Sequence, residues 1–320
     1  YAHLGVSYAN LEQWKSSEEY ENKALALIDR VSEREKLYIT GHHYNRIGDK
    51  EKEIQTYEAY AHLYPQDEIP HGNLAFNYGL VGQYEKSIEH ALAGLRLNPA
   101  SAEIRIELAQ SYEALGKLQE ARAVVVKGLE HTPESWLLHL NLSNIALFQT
   151  DTVTQSREDS AVKASPQGIL YLLYRDAALA VSRGQLRKAR ELYSQASQLC
   201  MMLHLVDNAS FAVALQAVYE AYLQDRDRAK KTAISALKLS RMPDTVVPVA
   251  VALAAAGEDE QSQALISQLA KERPDDTFVQ FVWLPTVQAL VDLNQGEAEK
   301  AIQALRPSVQ YDGGNLDPML

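Results

Sequence analysis

Cysteine, glycine, proline and positive charge are all scarce in this sequence, and each scarcity removes a class of protein. The chain of 320 residues has one cysteine, Cys200, so no intrachain disulfide or multi-cysteine metal site can form. With only 15 glycines and 11 prolines, it has few turn signals for an all-β fold. A formal net charge of −11 offers little to a phosphate backbone, so this segment is not expected to bind nucleic acid.

Long apolar runs and short catalytic motifs are also missing. The longest apolar stretch, residues 246–256, is well short of the roughly 20 residues that a membrane span needs, so no membrane contact is expected. Neither the P-loop pattern nor the dinucleotide-binding glycine pattern occurs. His42 and His43 are adjacent on a predicted helix and point roughly 100° apart, which is poor geometry for one metal ion. We therefore expect no enzyme activity, no cofactor and no metal.

The residues that are plentiful, among them Ala, Leu, Glu, Gln and Lys, favour helices, and the chain repeats itself at a fixed step. Pro65, Pro99 and Pro133 are 34 residues apart (99 − 65 = 34 and 133 − 99 = 34). Two further residue types keep the same step, namely Gly48, Gly82, Gly116 and Tyr44, Tyr78, Tyr112. The spacing predicts repeated structural units.

One unit, residues 72–99, shows why each repeated position matters. The spacing predicts two amphipathic helices whose apolar stripes consist of Leu74, Ala75, Tyr78 and of Ile88, Ala91, Leu92, Leu95. Between them Gly82 is predicted to adopt a left-handed conformation, because a Cβ there would clash with the backbone. Pro99 ends the second helix. The small residues Ala91 and Gly94 should let neighbouring helices approach closely.

The 34-residue step and these positions resemble the tetratricopeptide-repeat (TPR) family. The resemblance implies an all-α fold, a TPR superhelix or α-solenoid of antiparallel helical hairpins. We predict one solenoid over residues 1–320 with eight to nine hairpins, regular over 1–134 and degenerate over 135–320. A further step from Gly116 reaches Thr150 and then Gly184, so the register is predicted to survive a lost glycine. Later intervals exceed multiples of 34 by five (257 − 184 = 73 and 296 − 257 = 39), which should lengthen helices or loops.

The resemblance also implies a binding surface, since the first helix of each TPR unit lines a concave groove. Inward-facing repeat positions select twelve candidates for contact with a partner: Glu35, Tyr38, His42, Asn45, Arg46, Asn73, Phe76, Glu103, Gln110, Glu113, Asn141 and Asn144. Asn73 occupies a position that chaperone-type TPR domains use to hold a terminal carboxylate, but the basic partners are missing. The amides suit an extended peptide backbone.

Residues 32–99, together with 276–305, resemble the repeat region of bacterial multidomain signalling proteins, in which a kinase or winged-helix domain precedes the repeats. The resemblance implies a non-catalytic scaffold or sensory module that binds a partner protein or extended peptide. The alternative is a solenoid that senses a small molecule, near residues 200–207, and switches an attached kinase or transcriptional regulator. A single cysteine agrees with a reducing compartment, and a cytoplasmic location is predicted.

Overall fold

In the computed structural model, which describes residues 1–11 and 13–314, the described chain contains eighteen α-helices and no β-strand. The first nine are α1 Ala2–Asn10, α2 Trp14–Leu25, α3 Glu33–Ile47, α4 Lys50–Leu63, α5 Glu68–Leu80, α6 Tyr84–Leu97, α7 Ala102–Ala114, α8 Leu118–His131 and α9 Trp136–Phe148. The others are α10 Thr152–Val162, α11 Pro166–Ser182, α12 Leu186–Met202, α13 Val206–Tyr222, α14 Arg226–Leu239, α15 Pro243–Ala255, α16 Asp259–Glu272, α17 Leu284–Asn294 and α18 Ala298–Ala304. Short 3₁₀ segments are Ile28–Arg30 and Arg306–Tyr311, and a π-helical segment spans Val279–Trp283.

The chain divides into two compact units. Unit 1 comprises Tyr1–Ile145 with Asp275–Thr277, and unit 2 comprises Ala146–Pro274 with the described residues from Phe278 onward. Consecutive helices pack as hairpins, α3 with α4, α5 with α6 and α7 with α8 in unit 1, and α11 with α12, α13 with α14 and α15 with α16 in unit 2. The prediction of an all-α fold built from helical hairpins is confirmed. Residues 12 and 315–320 of the predicted array lie outside the described residues.

The hairpin of α5 and α6 is held by the predicted stripes. Leu74 and Ala75 are fully buried, as is Ala91 opposite them, whereas Leu92 is 41% exposed and does not belong to the core. Gly94 confirms the predicted close approach, because a Cβ there would lie 2.8 Å from the Cδ1 atom of Ile104 on α7. The second helix therefore packs both within its own hairpin and against the next one.

The turn between paired helices requires one left-handed residue. Gly82 has φ 76°, as predicted, and five other glycines share this conformation: Gly48, Gly116, Gly184, Gly257 and Gly296. Thr150, one step after Gly116, has φ 57°, which confirms that the register survives the lost glycine. Gln224, with φ 67°, takes the same place between α13 and α14, and no glycine marks it in the sequence.

The irregular intervals of unit 2 arise from longer helices. The left-handed turn residues Gly184, Gln224, Gly257 and Gly296 are separated by 40, 33 and 39 residues (224 − 184, 257 − 224 and 296 − 257). The helices α11, α12 and α13 have 17 residues each, whereas α5 and α6 have 13 and 14. Before α17 the extra residues include the five-residue π-helical segment. The predicted lengthening is confirmed.

Cys200 is buried in a core cluster that includes Tyr174, Tyr193 and Ala209 of unit 2. Thiols in such surroundings behave as small apolar groups. Over the part of the chain that the structure describes, no helix is both long and apolar enough to cross a membrane.

Candidate functional site

The predicted candidates on α3 are engaged largely within the chain. Glu35 closes a capping box with Ser32: its Oε2 accepts from the Ser32 backbone N–H at 2.9 Å, and Ser32 Oγ accepts from the Glu35 N–H. Such a box satisfies two helix-end N–H groups. Asn45 donates from Nδ2 to Oε1 of the buried Glu53 at 3.0 Å. Both side chains therefore have structural partners.

Arg46, Tyr38 and His42 form the other part of this helix face. Arg46 Nε lies 2.5 Å from Glu21 Oε2 in an ion pair. The rings of Tyr38 and His42 meet edge to face with centroids 4.4 Å apart, and Tyr38 Oη lies 3.3 Å from Nδ1 of His3. Burial lowers the pKa of His42 to about 4, so its imidazole is neutral at neutral pH. His42 thus contributes packing and shape rather than charge.

On α5 the two candidates remain available to a partner. Asn73 is half-buried and its Nδ2 donates to the carbonyl of Ile69 in its own helix at 2.9 Å. Phe76 is 38% exposed, with Nζ of Lys50 5.7 Å from its ring centroid. An exposed aromatic side chain beside an amide can provide both apolar contact and hydrogen bonds.

On α7 the structure distinguishes the three candidates. Glu103 is exposed near the start of the helix, where it accepts from Ser101 Oγ at 3.1 Å. Gln110 is half-buried in the middle of the helix. Glu113 is half-buried, and its Oε1 atom lies buried with no hydrogen-bond partner. Burial raises the pKa of Glu113 to about 7.

Asn141 and Asn144 are carried by the part of α9 that belongs to unit 1. Asn141 is 7% exposed, and its Oδ1 atom is buried without a hydrogen-bond partner. Asn144 is half-buried. Leu138 and Leu142 of the same helix pack into a core cluster with residues of α7 and α8, so this part of α9 is held against α7.

The sequence reasoning missed Glu107, which completes a row. Asn73, Glu107 and Asn141 are separated by 34 residues (107 − 73 = 34 and 141 − 107 = 34), so they hold equivalent positions on α5, α7 and α9. Burial alone raises the pKa of Glu107 to about 7, and no charged side chain contributes. The repeat step that located its two neighbours was the signal that could have found it.

A second row follows at the same step, formed by Phe76, Gln110 and Asn144. Because α5 packs on α7 and α7 shares a core with α9, equivalent positions of these helices lie side by side. We call the two rows together with Glu113 the first-helix face; it consists of Asn73, Phe76, Glu107, Gln110, Glu113, Asn141 and Asn144. The candidates on α3 other than Tyr38 and His42 are held by partners on other elements or by the helix cap.

The described residues contain no group of three or more His, Cys, Asp or Glu side chains that could hold a metal ion. The chemistry that the first-helix face offers is hydrogen bonding and electrostatic attraction, supplied by two carboxyl groups, four amides and one aromatic ring.

No family model matches the chain, and no curated protein matches it. Among solved structures, a tetratricopeptide repeat protein from Parabacteroides merdae is 14% identical, with a TM-score of 0.48 over 82% of this chain and 98% of that one. The structure of Naa15/Naa10 bound to HypK-THB contains a chain that is 16% identical, with a TM-score of 0.36 over 87% of this chain and 44% of that one. Both TM-scores are low, so the fold assignment rests on the helices and turns described above.

Proposed function

We propose that this chain is a non-catalytic scaffold that binds a partner protein, as an extended segment, along the first-helix face of unit 1. The observation that carries the proposal is the row Asn73, Glu107 and Asn141, in which three stacked helices present a hydrogen-bonding side chain at the same repeat position. An extended peptide has unpaired N–H and C=O groups along its length, and amides can donate to one and accept from the other.

The chain's wider setting is also a proposal. We propose that the eighteen helices belong to one TPR array within a larger bacterial signalling protein in the cytoplasm, with the array recruiting a partner to an attached effector domain. The net charge of −11 makes a nucleic acid an unsuitable partner for this segment. The resemblance of residues 32–99 to repeat regions of such proteins supports this setting.

The experiment is affinity capture from a lysate of the source cell, using the chain as bait beside two variants. The face variant carries Asn73→Ala and Phe76→Ala. The matched control carries Leu92→Ala and Val126→Ala, which change residues that are 41% and 43% exposed on the second helices α6 and α8. We expect a protein that the parent and the control capture and the face variant loses. Equal capture by all three baits, or no captured protein, would contradict the proposal.

The alternative function, a solenoid that senses a small molecule near residues 200–207, stays a prediction. Within that stretch Cys200 is fully buried among core side chains, and the turn after α12 places His204 at φ 62°. Thermal shifts with metabolite pools test it, because a ligand at about 100 times its dissociation constant stabilises a protein by roughly 2.7 kcal/mol. Absence of any shift across a broad pool would count against it.

A further inference from the structure

Two carboxyl groups on the first-helix face lie without a compensating charge. Oε1 of Glu113 is buried with no hydrogen-bond partner among the described residues, and no cation contributes to the pKa of Glu107 or Glu113. Buried carboxylates are ordinarily paired, because a desolvated charge without donors is unfavourable. On α7 both groups instead lie in surroundings that favour the neutral acid, which raises the pKa of each to about 7.

An amide group on the neighbouring helix lacks a donor in the same way as Glu113. Asn141 is more than nine-tenths buried, its Oδ1 has no partner, and it holds on α9 the repeat position that Glu107 holds on α7. The α7–α9 part of the face therefore presents two buried acceptor atoms without donors, together with the uncompensated carboxyl group of Glu107. A ligand that suits it must bring N–H donors, and a positive charge would also compensate the carboxylates.

The spacing of the acceptors argues for a chain of donors rather than a single ion. Six residues separate Glu107 from Glu113 (113 − 107 = 6), which is about 9 Å along the axis of an α-helix. A calcium ion needs its oxygen ligands within roughly 2.6 Å, so one ion cannot bind both carboxylates. The two carboxylates also lie about 120° apart around the helix, since each residue turns it by about 100°, so separate donor groups are needed to reach them.

We propose that the α7–α9 part of the first-helix face recognises a partner segment with at least two cationic residues, Lys or Arg, which donate to Glu107, Glu113 and Asn141. This inference rests on the proposed function and specifies the partner's chemistry. A hydrogen bond between a cation and a carboxylate contributes more binding free energy than a hydrogen bond between neutral groups. The cationic residues should therefore determine which partner segments bind.

The test is selection from a phage-displayed library of random linear peptides with the 320-residue chain as bait. The site variant carries Glu107→Gln and Glu113→Gln. The matched control carries Glu120→Gln and Glu134→Gln, two exposed glutamates outside the face, and changes the net charge equally. We expect peptides with at least two Lys or Arg residues, and about tenfold or greater weakening of their binding by the site variant alone.

Several outcomes would overturn the inference, and they separate it from the proposed function. Peptides that lack Lys and Arg but depend on Asn73 and Phe76 would leave the proposed function standing and reject the cationic partner. Selection of no peptide would reject both. Calcium added alone should give no heat of binding, and heat that the site variant abolishes would assign the acceptors to a metal ion instead.

The dependence of binding on pH gives a second readout. A bound cation favours the ionised carboxylates and lowers the pKa of each from its free value of about 7, so binding releases protons. Affinity for a selected peptide should therefore rise between about pH 6 and about pH 8, and this rise should vanish in the site variant. Circular dichroism checks that the variant is folded. An equal rise in the site variant would exclude Glu107 and Glu113 as its source.

Discussion

A carboxylate on α13 of unit 2 and another on α7 of unit 1 have opposite surroundings. Glu220 on α13 of unit 2 is fully buried and accepts from Nε of Arg190 at 2.6 Å, from Oγ1 of Thr232 at 2.7 Å and from Nε2 of Gln216 at 3.0 Å. Glu113 on α7 of unit 1 has no donor at its buried Oε1. A carboxylate with three donors serves the fold, whereas one without donors weakens it and is better explained by a ligand.

The same contrast appears in other polar groups. Buried side-chain atoms without a hydrogen-bond partner include Oη of Tyr57, Nε of Arg105, Oε1 of Glu113 and Oδ1 of Asn141, and all four belong to unit 1. Native proteins leave few such atoms, and each calls for a physical reason. For Glu113 and Asn141, which share the first-helix face, that reason is the proposed partner segment.

The largest expected effect comes from removing a donor in unit 2. Arg190→Ala leaves the buried carboxylate of Glu220 without its ion-pair partner and should destabilise the chain by about 3 kcal/mol. Urea unfolding followed by circular dichroism measures the change. Arg187→Ala is the control, because that side chain is 94% exposed and its ion pair with Glu191 should be worth less than about 0.5 kcal/mol. Equal destabilisation by Arg190→Ala and Arg187→Ala would show that the buried Glu220 does not depend on its ion pair with Arg190.

In unit 1, by contrast, replacing a carboxyl group is expected to increase the free energy of unfolding. The pKa of Glu107 is raised from its ordinary value of 4.5 to about 7, so the folded chain holds a proton that the unfolded chain releases. Stability is therefore lost as pH rises between 4.5 and about 7, and Glu107→Gln, which does not titrate, should avoid this loss.

We expect Glu107→Gln to be more stable than the parent by about 2 kcal/mol at roughly pH 8 and nearly equal to it at roughly pH 4.5. Urea unfolding at both pH values measures this difference. Glu120→Gln, at an exposed position, should show no such dependence. Destabilisation by Glu107→Gln at the higher pH would show that the carboxylate has a structural role in the free chain.

The turns allow a comparison between the regular and degenerate repeats. Gly82→Val should destabilise the chain by about 2 kcal/mol, because Gly82 has φ 76° and a β-branched residue resists this conformation. Gly79→Ala is the matched control three residues earlier within α5, where a Cβ would meet only Ser87 Oγ at 3.7 Å. The control should be neutral or stabilising. Thermal unfolding of both variants measures the effect, and an unchanged midpoint for Gly82→Val would contradict it.

The smallest effect concerns the turn that lost its glycine. Thr150 is a β-branched residue at φ 57°, so Thr150→Gly should stabilise the chain by about 1 kcal/mol. Its midpoint of thermal unfolding should rise. A fall would mean that contacts of the threonine side chain outweigh the backbone strain.

The sequence predicted the helices and turns better than it predicted the burial of individual side chains. The 34-residue step located the left-handed turns at Gly82 and Thr150 because backbone geometry repeats with the hairpin. It did not find Gln224, because a polar residue can occupy the left-handed conformation at moderate cost. The predicted burial of Leu92 was wrong: it is 41% exposed, although Ala91 beside it is fully buried.

The sequence predicted which helices carry the candidate residues but not what their side chains contact. The repeat register places Asn73, Phe76 and Asn141 on first helices, yet no spacing could reveal that Asn45 is paired with Glu53. Partners of that kind depend on how helices from different repeats meet. The absence of a donor at Glu113 Oε1 and at Asn141 Oδ1 also depends on this packing, so the sequence could not predict it.

The most direct measurement is the titration of Glu107 and Glu113 by carbon-13 NMR of their side-chain carboxyl groups, in the free chain and with a selected cationic peptide. We predict that both groups titrate with a pKa of about 7 in the free chain and at lower pH once the peptide is bound. Each single Glu→Gln variant assigns its signal. The account would be contradicted if the carboxyl groups titrated near 4.5 in the free chain, or if the peptide left their pKa unchanged, because a cationic partner would then not donate to them.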